Sequence, residues 1–295
     1  MHYKEAWVDR NTHRIYVRDY PGQEPVLVLL HGFPDNLHLY DRLVPYLHPP
    51  RRVVTFDFLG WGASDKPGRY RYSATNQTGD VDAVISLLGL DEVILVVHDA
   101  SGPPGIDWAL EHPDRIAALI LLNTYYCLMP TLRSPEAIVL YSTPLLRNLA
   151  RGVARTWDRL DRALFTWQVG RFIRDAPVRH ELVPRLYQGY RTARPAFWAL
   201  NSDLLGTIVS RTRRLPELRR FPRPVRIIFG DRDPYLNRGV ARRFHKLFPA
   251  SDLVLVAGAR HYVQVDEPQQ VADLILATTR SPAGRGTTNE PDLGT

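Results

Sequence analysis

The first half of the chain alternates short apolar runs, rich in Val, Ile and Leu, with segments of helical periodicity. Nearly continuous apolar runs of this length are typical of strands buried on both faces of a parallel sheet. The predicted strands are 14–18, 26–30, 53–58, 93–98 and 116–122. The predicted helices are 37–47, 74–88, with Gly89 at its end, and a segment that includes 108–111. Repetition of strand, helix and strand predicts an open α/β sheet.

This rhythm stops after Asn123 and resumes only near residue 225. Residues 128–214 are rich in Arg, Trp, Tyr and Leu at helical spacing and contain no strand pattern. The α/β pattern then returns with strands at 225–229 and 253–256 and helices at 238–247 and 268–277. We therefore predict a core domain of 1–127 and 215–280, an inserted helical domain at 128–214, and a disordered tail at 281–295 that lacks periodicity.

Composition narrows the class of protein. The 295 residues are 44% hydrophobic and 23% charged, as in ordinary globular proteins. No apolar run reaches the ~18 residues of a membrane helix, and the start has no signal-peptide pattern. We expect a cytoplasmic protein, a monomer or homodimer, with no membrane partner.

Cysteine and charge exclude further classes. The single cysteine, Cys127, rules out an internal disulfide framework and a cysteine-based zinc site. The net charge is +7, but the arginines are spread along the chain with no run longer than two, so nucleic-acid binding is not expected. No group of His, Asp and Glu has metal-ligand spacing, so we expect neither a metal nor a cofactor.

A sharp turn is predicted where the strand 93–98 meets the next helix. The strand leads into His98, Asp99, Ala100, Ser101 and Gly102, small or polar residues that suit a nucleophile elbow. Asp99 and Ser101 compete for the apex. Asp99 fits better because the apolar run stops at Val97 and an aspartate just before an apex serine would repel the developing charge. The alternative role for Asp99 is to cap the following helix.

Two other polar sets follow buried strands. Asp231 and Asp233 come after the strand at 225–229, and His261 comes after the strand at 253–256. Ligands bind at the carboxyl ends of strands in open α/β sheets, so these side chains are expected near Asp99. The chain order of acid, acid and histidine suits a nucleophile, an orienting acid and a base that activates water.

Together these motifs resemble the α/β-hydrolase superfamily, in the branch of epoxide hydrolases and haloalkane or haloacid dehalogenases. The resemblance covers roughly 14–278, apart from the helical insertion, which corresponds in place to the variable cap. It implies a mostly parallel central sheet flanked by helices, with an inserted cap. The matching motifs are His31-Gly32-Phe33-Pro34, Asp57-Phe58-Leu59-Gly60-Trp61-Gly62-Ala63-Ser64-Asp65-Lys66-Pro67, His98-Asp99, Gly230-Asp231-Arg232-Asp233, and His261 with Glu267-Pro268.

The resemblance implies a role for each matching residue. Asp99 becomes the nucleophile, His261 the general base, and Asp233, in preference to Asp231, the acid that orients it. The backbone N–H groups of Phe33 and Ala100 form the oxyanion hole. A permanently ionised carboxylate suits attack at an sp³ carbon, and the resulting ester of Asp99 is hydrolysed by water that the histidine activates.

The leaving group separates epoxides from halides. An epoxide oxygen needs a proton, which this branch takes from cap tyrosines, and Tyr141 lies near the expected first position. Asp203 occupies the expected second position, where it could donate if protonated, and Tyr187 and Tyr190 are nearby substitutes.

The donors that dehalogenases use are missing. They commonly place a Trp after the nucleophile and a Trp or Asn after His-Gly, where this chain has Ala100 and Phe33; Trp157 or Trp198 could stand in. Fluoroacetate-type enzymes would need an Arg at position 100.

These observations predict a cofactor-independent enzyme that opens epoxides to vicinal diols. The aromatic content of the predicted cap suggests a small apolar substrate. The alternatives are a dehalogenase with an atypical halide site, an esterase or lactonase that uses Ser101, and a non-catalytic small-molecule-binding protein with the same fold.

Overall fold

The computed structural model describes residues 2–278, which form an eight-stranded sheet flanked by helices. The strand order is β1-β2-β4-β3-β5-β6-β7-β8. The pairs β1/β2 and β2/β4 are antiparallel, and all the others are parallel. This confirms the predicted α/β fold class. The strands are β1 (Lys4–Arg10), β2 (His13–Tyr20), β3 (Val26–Leu30), β4 (Val53–Phe56), β5 (Val93–Asp99), β6 (Ile116–Thr124), β7 (Val225–Gly230) and β8 (Ser251–Val256).

Strand β1 was not predicted. It lies at the edge of the sheet, and its residues are mostly exposed or half-buried, so it has no continuous apolar run. By contrast, every residue of β3 is buried. The apolar side chains on the two sides of the sheet belong to two separate core clusters.

Among residues 2–278, twelve α-helices pack around the sheet or lie between β6 and β7 along the chain. They are α1 (Val44–Leu47), α2 (Ala74–Leu87), α3 (Gly102–Glu111), α4 (Glu136–Ser142), α5 (Pro144–Thr156), α6 (Asp158–Gly170), α7 (Ala176–Ser202), α8 (Leu204–Thr212), α9 (Leu215–Leu218), α10 (Arg238–Leu247), α11 (Val263–Asp266) and α12 (Pro268–Thr278). None of these helices in the described chain is long and apolar enough to cross a membrane.

The predicted helix at 37–47 is wrong as a single element. A 3₁₀ turn at Leu37–Tyr40 is followed by the separate helix α1. The break is explained by Pro45, which has no N–H to continue the helical hydrogen bonds and is tolerated only in a first helical turn. The end of α2 is as predicted, because Gly89 follows its C-cap with a φ of 62°.

Helices α4–α8 lie between β6 and β7, and we call them the cap. The described residues of 128–214 contain no strand. Because β6 and β7 are neighbours in the sheet, the chain leaves and re-enters the core at adjacent positions. The predicted disordered tail at 281–295 lies outside the described residues.

Candidate active site

Asp99 occupies the apex of a sharp turn between β5 and α3. Its φ is 48°, in the left-handed region that non-glycine residues rarely adopt. Small neighbours permit the turn: a Cβ on Gly32 would lie 2.6 Å from Asp99 Cβ, and one on Gly102 would lie 2.1 Å from Thr124 Oγ1. Strain of this kind clusters at functional sites. The turn therefore has the geometry of a nucleophile elbow with Asp99 at its apex.

Ser101 lies inside this turn. It is fully buried, and its hydroxyl accepts a hydrogen bond of 2.8 Å from the backbone N–H of His98. The same oxygen lies 2.9 Å from the carbonyl of Leu30 and 2.8 Å from that of His98. These bonds tie the turn to β3, so Ser101 is a structural residue, and the alternative that places it at the apex is wrong.

Two backbone N–H groups converge on the Asp99 carboxylate. The Phe33 N–H donates to Asp99 Oδ2 at 3.0 Å, and the adjacent Ala100 N–H also favours the charged carboxylate by lowering its pKa. Burial raises the pKa of Asp99, while the charge of His261 and the two N–H groups oppose this rise. The two N–H groups that the sequence suggested as an oxyanion hole thus meet at the nucleophile candidate.

His261 lies between Asp99 and Asp233. Its Nε2 is 3.8 Å from Asp99 Oδ1, and its Nδ1 is 2.7 Å from Asp233 Oδ2. Burial lowers the pKa of His261, but the carboxylates of Asp233, Asp99 and Asp35 outweigh it and raise the pKa to about 9. At rest His261 is therefore protonated, and its imidazolium lies between carboxylates.

Asp233 is fixed by its own hydrogen bonds. Its Oδ1 accepts from the N–H groups of Tyr235 at 2.8 Å and Leu236 at 3.1 Å. Its Oδ2 accepts from Asn123 Nδ2 at 2.8 Å as well as facing His261. Burial raises the pKa of Asp233, but the charge and hydrogen bond of His261 outweigh it, so the pKa lies below its ordinary value.

Asp231 has different partners. Its Oδ1 accepts from the N–H of Gly258 at 2.7 Å, and its Oδ2 pairs with Arg238 at 2.8 Å. Both carboxylate oxygens are thus engaged in holding loops, and the structure brings only Asp233 to the histidine.

A mostly apolar cavity of about 290 Å³ joins this site to the cap. Asp99, Ala100, Phe33 and His261 line its core side. The side chains that line it from the cap include Leu140, Tyr141, Leu164, Phe165, Trp167 and Tyr190. An enclosed apolar space with a few convergent polar groups is the usual form of a small-molecule site.

Tyr141 and Tyr190 meet at the cap side of the cavity. Both are buried and line the cavity, and each phenol affects the pKa of the other. Burial raises the pKa of both phenols, so both remain protonated near neutral pH. The cavity thus holds a pair of phenolic proton donors.

The other cap candidates do not line the cavity. The Tyr187 hydroxyl donates toward Asp158 Oδ1 at 3.0 Å and Asp161 Oδ2 at 3.2 Å. Asp203 is exposed at the junction of α7 and α8. Trp157 and Trp198, considered as halide donors, are also absent from the lining, and Trp157 is 63% exposed.

Sequence reasoning missed Asn123. It is the next-to-last residue of β6 and has a φ of 25°, and its side chain bonds both Asp233 and the N–H of Gly230, the latter at 2.8 Å. Its position near the carboxyl end of a strand could have indicated a site residue, but no spacing along the sequence links it to Asp233.

A buried polar layer behind His261 was also missed. The Tyr262 hydroxyl donates to Asp35 Oδ1, and His98 Nδ1 lies 4.0 Å from Asp35 Oδ2. His98 Nε2 donates to the His261 carbonyl at 3.2 Å. Burial raises the pKa of Asp35 to about 7 against the hydrogen bond from Tyr262, and burial lowers the pKa of His98 well below its ordinary value. This layer adds a third carboxyl group to the surroundings of the histidine.

Within residues 2–278, no group of three or more His, Cys, Asp or Glu side chains is arranged to hold a metal ion. The titratable groups that converge on the described cavity include a carboxylate, an imidazole and two phenols.

Comparison with known proteins agrees with this geometry. Residues 25–268 match the family model for the α/β hydrolase fold. A haloalkane dehalogenase of Mycobacterium marinum is 30% identical over 276 residues, which cover 89% of this chain and 87% of that protein. The chain belongs to the α/β-hydrolase superfamily, in the branch of epoxide hydrolases and dehalogenases, and it is a hydrolase.

Solved structures share the fold. The haloalkane dehalogenase DatA from Agrobacterium tumefaciens superposes with a TM-score of 0.80 at 22% identity, covering 94% of this chain and 96% of that one. A mutant epoxide hydrolase from Vigna radiata gives a TM-score of 0.76 at 18% identity, covering 94% and 98%. Both likenesses extend through the core and the cap.

Proposed function

We propose that this hydrolase opens epoxides to vicinal diols through an alkyl ester of Asp99. The observation that carries the proposal is that two buried phenols, Tyr141 and Tyr190, line the same cavity as Asp99 and His261. Ring opening needs a carboxylate on one side of the substrate and a proton donor for the oxygen on the other. The cavity offers both and is otherwise mostly apolar.

In the first step Asp99 attacks an epoxide carbon. Oδ2 is engaged by the Phe33 N–H, so Oδ1, which faces His261, is the oxygen that forms the new C–O bond. The carbon–oxygen bond of the ring breaks, and the ring oxygen takes a proton from Tyr141 or Tyr190. The product is an ester whose carbonyl oxygen remains in the oxyanion hole.

The ester then changes the charge around the histidine. In the resting enzyme the charge of Asp99 helps to raise the pKa of His261 to about 9. Esterification removes that charge, so the pKa of His261 falls and the imidazolium gives up its proton, which restores the phenol that protonated the ring oxygen. The neutral imidazole then accepts a proton from water, and the hydroxide attacks the ester carbonyl. The ester C–O bond to the substrate breaks, the diol leaves, and the Asp99 carboxylate and the imidazolium are restored.

The N–H groups of Phe33 and Ala100 stabilise the oxyanion of this second step. One such donor contributes roughly 3–4 kcal/mol in other hydrolases. Because both donors are backbone groups fixed by the elbow and by the loop after β3, they need no rearrangement between the two steps.

Dehalogenation is the second candidate, and it is supported by the 30% identity with a haloalkane dehalogenase. The same carboxylate would displace a halide at carbon. Phe33 and Ala100 offer no side-chain N–H, and besides His261 the lining residues that do are Arg133, Gln168, Asn201 and Trp167. The Gln168 amide donates to Tyr235 at 3.1 Å and the Asn201 amide donates to the Phe197 carbonyl at 2.8 Å, which leaves Arg133 and Trp167 as the halide donors for this candidate.

A trapping experiment separates these candidates. His261→Gln removes the base, so the ester should accumulate when the variant is incubated with styrene oxide or 1-bromobutane. Intact mass and peptide mapping then locate the adduct. An adduct of epoxide mass on Asp99 supports the proposal; an adduct from the bromide alone, with release of bromide, supports dehalogenation.

Two controls sharpen the result. His261→Gln combined with Asp99→Asn should give no adduct, while adding Tyr141→Phe and Tyr190→Phe should slow adduct formation from the epoxide but not from the bromide. Failure of the single variant to form any adduct would contradict covalent catalysis and favour a non-catalytic binding protein.

A further inference from the structure

Exposed apolar side chains are concentrated on the cap. Of the 14 large hydrophobic side chains that are exposed among residues 2–278, 11 lie in 128–214. On α5 they include Leu145, which is 89% exposed, and Leu149, which is 69% exposed. Single exposed apolar residues are normal on protein surfaces, but a concentration of them marks an interaction site.

These side chains extend over two consecutive helices. Trp157 links α5 directly to α6 and is itself 63% exposed. Leu160, Leu164 and Trp167 are spaced at four and three residues, so they follow one side of α6. We call this surface the apolar cap face; its members are Leu145, Leu146, Leu149, Trp157, Leu160, Leu164 and Trp167.

Positive charge accompanies the apolar cap face. Residues 128–214 contain 15 of the 38 basic residues of the chain and only six of its 31 acidic residues, so the rest of the chain is slightly acidic. Helix α5 carries three arginines and no acidic residue. The cap is thus both the most apolar surface and the most basic part of the molecule.

Helices α5 and α6 together carry five arginines, whose charges are not neutralised by acidic side chains of residues 2–278. Within the described chain, no ion pair joins any of these five arginines to an acidic side chain. Three of them have other partners: Arg151 donates to the Trp198 carbonyl at 3.1 Å, and Arg155 and Arg162 lie over the rings of Trp198 and Tyr187. The five arginines are Arg147, Arg151, Arg155, Arg159 and Arg162.

The apolar cap face reaches the cavity. Leu164 and Trp167 are half-exposed, and both also line the cavity that contains Asp99. A molecule that binds this face therefore lies at the entrance to the site.

We propose that the apolar cap face binds the surface of an anionic lipid membrane. Leucines and tryptophans on exposed helices, with nearby arginines that form no ion pair, are the combination that partitions into an interface between anionic headgroups and acyl chains. A second copy of this chain is a poorer occupant, because two such faces would bring their arginines together. We expected no membrane partner because no apolar run in the sequence is long enough to span a membrane, but binding at a membrane surface needs no such run.

Vesicle flotation of the full chain tests the proposal. Wild-type protein should bind vesicles of equal phosphatidylglycerol and phosphatidylcholine about tenfold more tightly than phosphatidylcholine alone, and 0.5 M NaCl should weaken that binding. Leu145→Gln with Leu149→Gln should reduce binding to the anionic vesicles by about tenfold. Leu87→Gln, at a site on α2 that is 61% exposed, is the matched control and should bind like wild type.

A second readout locates the contact. Brominated phosphatidylglycerol should quench tryptophan fluorescence of the wild type, and Trp157→Phe should remove a clear part of that quenching. Arg147→Gln with Arg159→Gln should lower the preference for anionic lipid while circular dichroism remains unchanged.

Three outcomes would overturn the proposal: no binding to either vesicle, equal binding by Leu145→Gln/Leu149→Gln and wild type, or a wild-type dimer that this double variant converts to a monomer. The last outcome would assign the face to self-association. Because flotation involves no chemical step, its result is independent of the proposed chemistry of Asp99.

Discussion

The charge on one imidazole links the two steps that we propose. His261 faces carboxyl groups on several sides, and the charge of Asp99 is the one that the reaction removes. In this proposal His261 is therefore protonated while Asp99 is ionised, and His261 becomes a base once Asp99 is esterified. The orienting acid Asp233 keeps its charge throughout, because its pKa lies below the ordinary value.

Asp233→Asn tests this division of roles. The amide keeps the shape of the side chain but removes the charge that holds the Nδ1 proton, so kcat should fall by about 10⁴, as in related triads. Steady-state kinetics with an epoxide measures the loss. Asp231→Asn is the matched control and should leave kcat within about twofold, because both oxygens of Asp231 bond elsewhere. Equal losses in both variants would contradict the assignment.

Asp35 should make stability depend on pH. An unfolded chain has an aspartate pKa near 3.9, whereas the fold raises the pKa of Asp35 to about 7. The native state thus binds the Asp35 proton more tightly than the unfolded chain does. The stabilisation that results is fully present below about pH 4 and is lost as the pH rises through 7.

Asp35→Asn removes this titration. The free energy of unfolding of wild type relative to the variant should therefore decrease by about 2–4 kcal/mol between pH 4 and pH 8. Urea denaturation at a series of pH values measures the difference. Asp252→Asn, at a largely exposed side chain, should show no such trend. An Asp35→Asn difference that is constant with pH would disprove the effect.

At the scale of elements, strands with long apolar runs could be predicted from the sequence and irregular features could not. β3 begins and ends as predicted, and β5–β7 are predicted to within two residues, because burial on both faces requires continuous apolar residues. β1 has an exposed edge and lacks that signal.

Part of the candidate site could also be predicted, because it depends on where the strands end. Strand ends place Asp99, Asp233 and His261 at one edge of the sheet, so their order along the chain suffices to bring them together. Asn123 and Asp35 act through contacts with residues far away in the sequence, and the cap tyrosines depend on how helices pack. Periodicity contains no information on such contacts, so Tyr187 and Asp203 could not be distinguished from Tyr190.

Glycine substitutions test the elbow as an element. Gly102→Ala would place a methyl group 2.1 Å from Thr124 Oγ1 and 2.2 Å from the Tyr125 carbonyl. The start of α3 must move, so we expect a destabilisation of about 2–4 kcal/mol, with loss of activity. Thermal denaturation and activity assays measure both.

Gly152→Ala is the control. No atom lies within 4 Å of a Cβ at Gly152 in α5, so this change should stabilise the protein by about 0.5–1 kcal/mol through higher helix propensity. Tolerance of Gly102→Ala would show that the elbow can relax.

At the scale of the whole molecule, charge and exposed apolar surface divide between the two parts of the chain. The core is slightly acidic and presents few exposed hydrophobic side chains, whereas the cap is basic and presents most of them. Asp99, His261 and Asp233 come from the core, and the phenols of Tyr141 and Tyr190 come from the cap.

The adjacency of β6 and β7 has an evolutionary consequence. The last strand before the cap and the first strand after it are hydrogen-bonded partners, with the Leu119 N–H donating to the Pro224 carbonyl at 2.9 Å. The cap is thus an insertion between two strands that pair with each other. Recombination could replace this insertion with another of different length without disturbing the strand pairing. Substrate choice could then diversify while the residues of the core site are inherited unchanged.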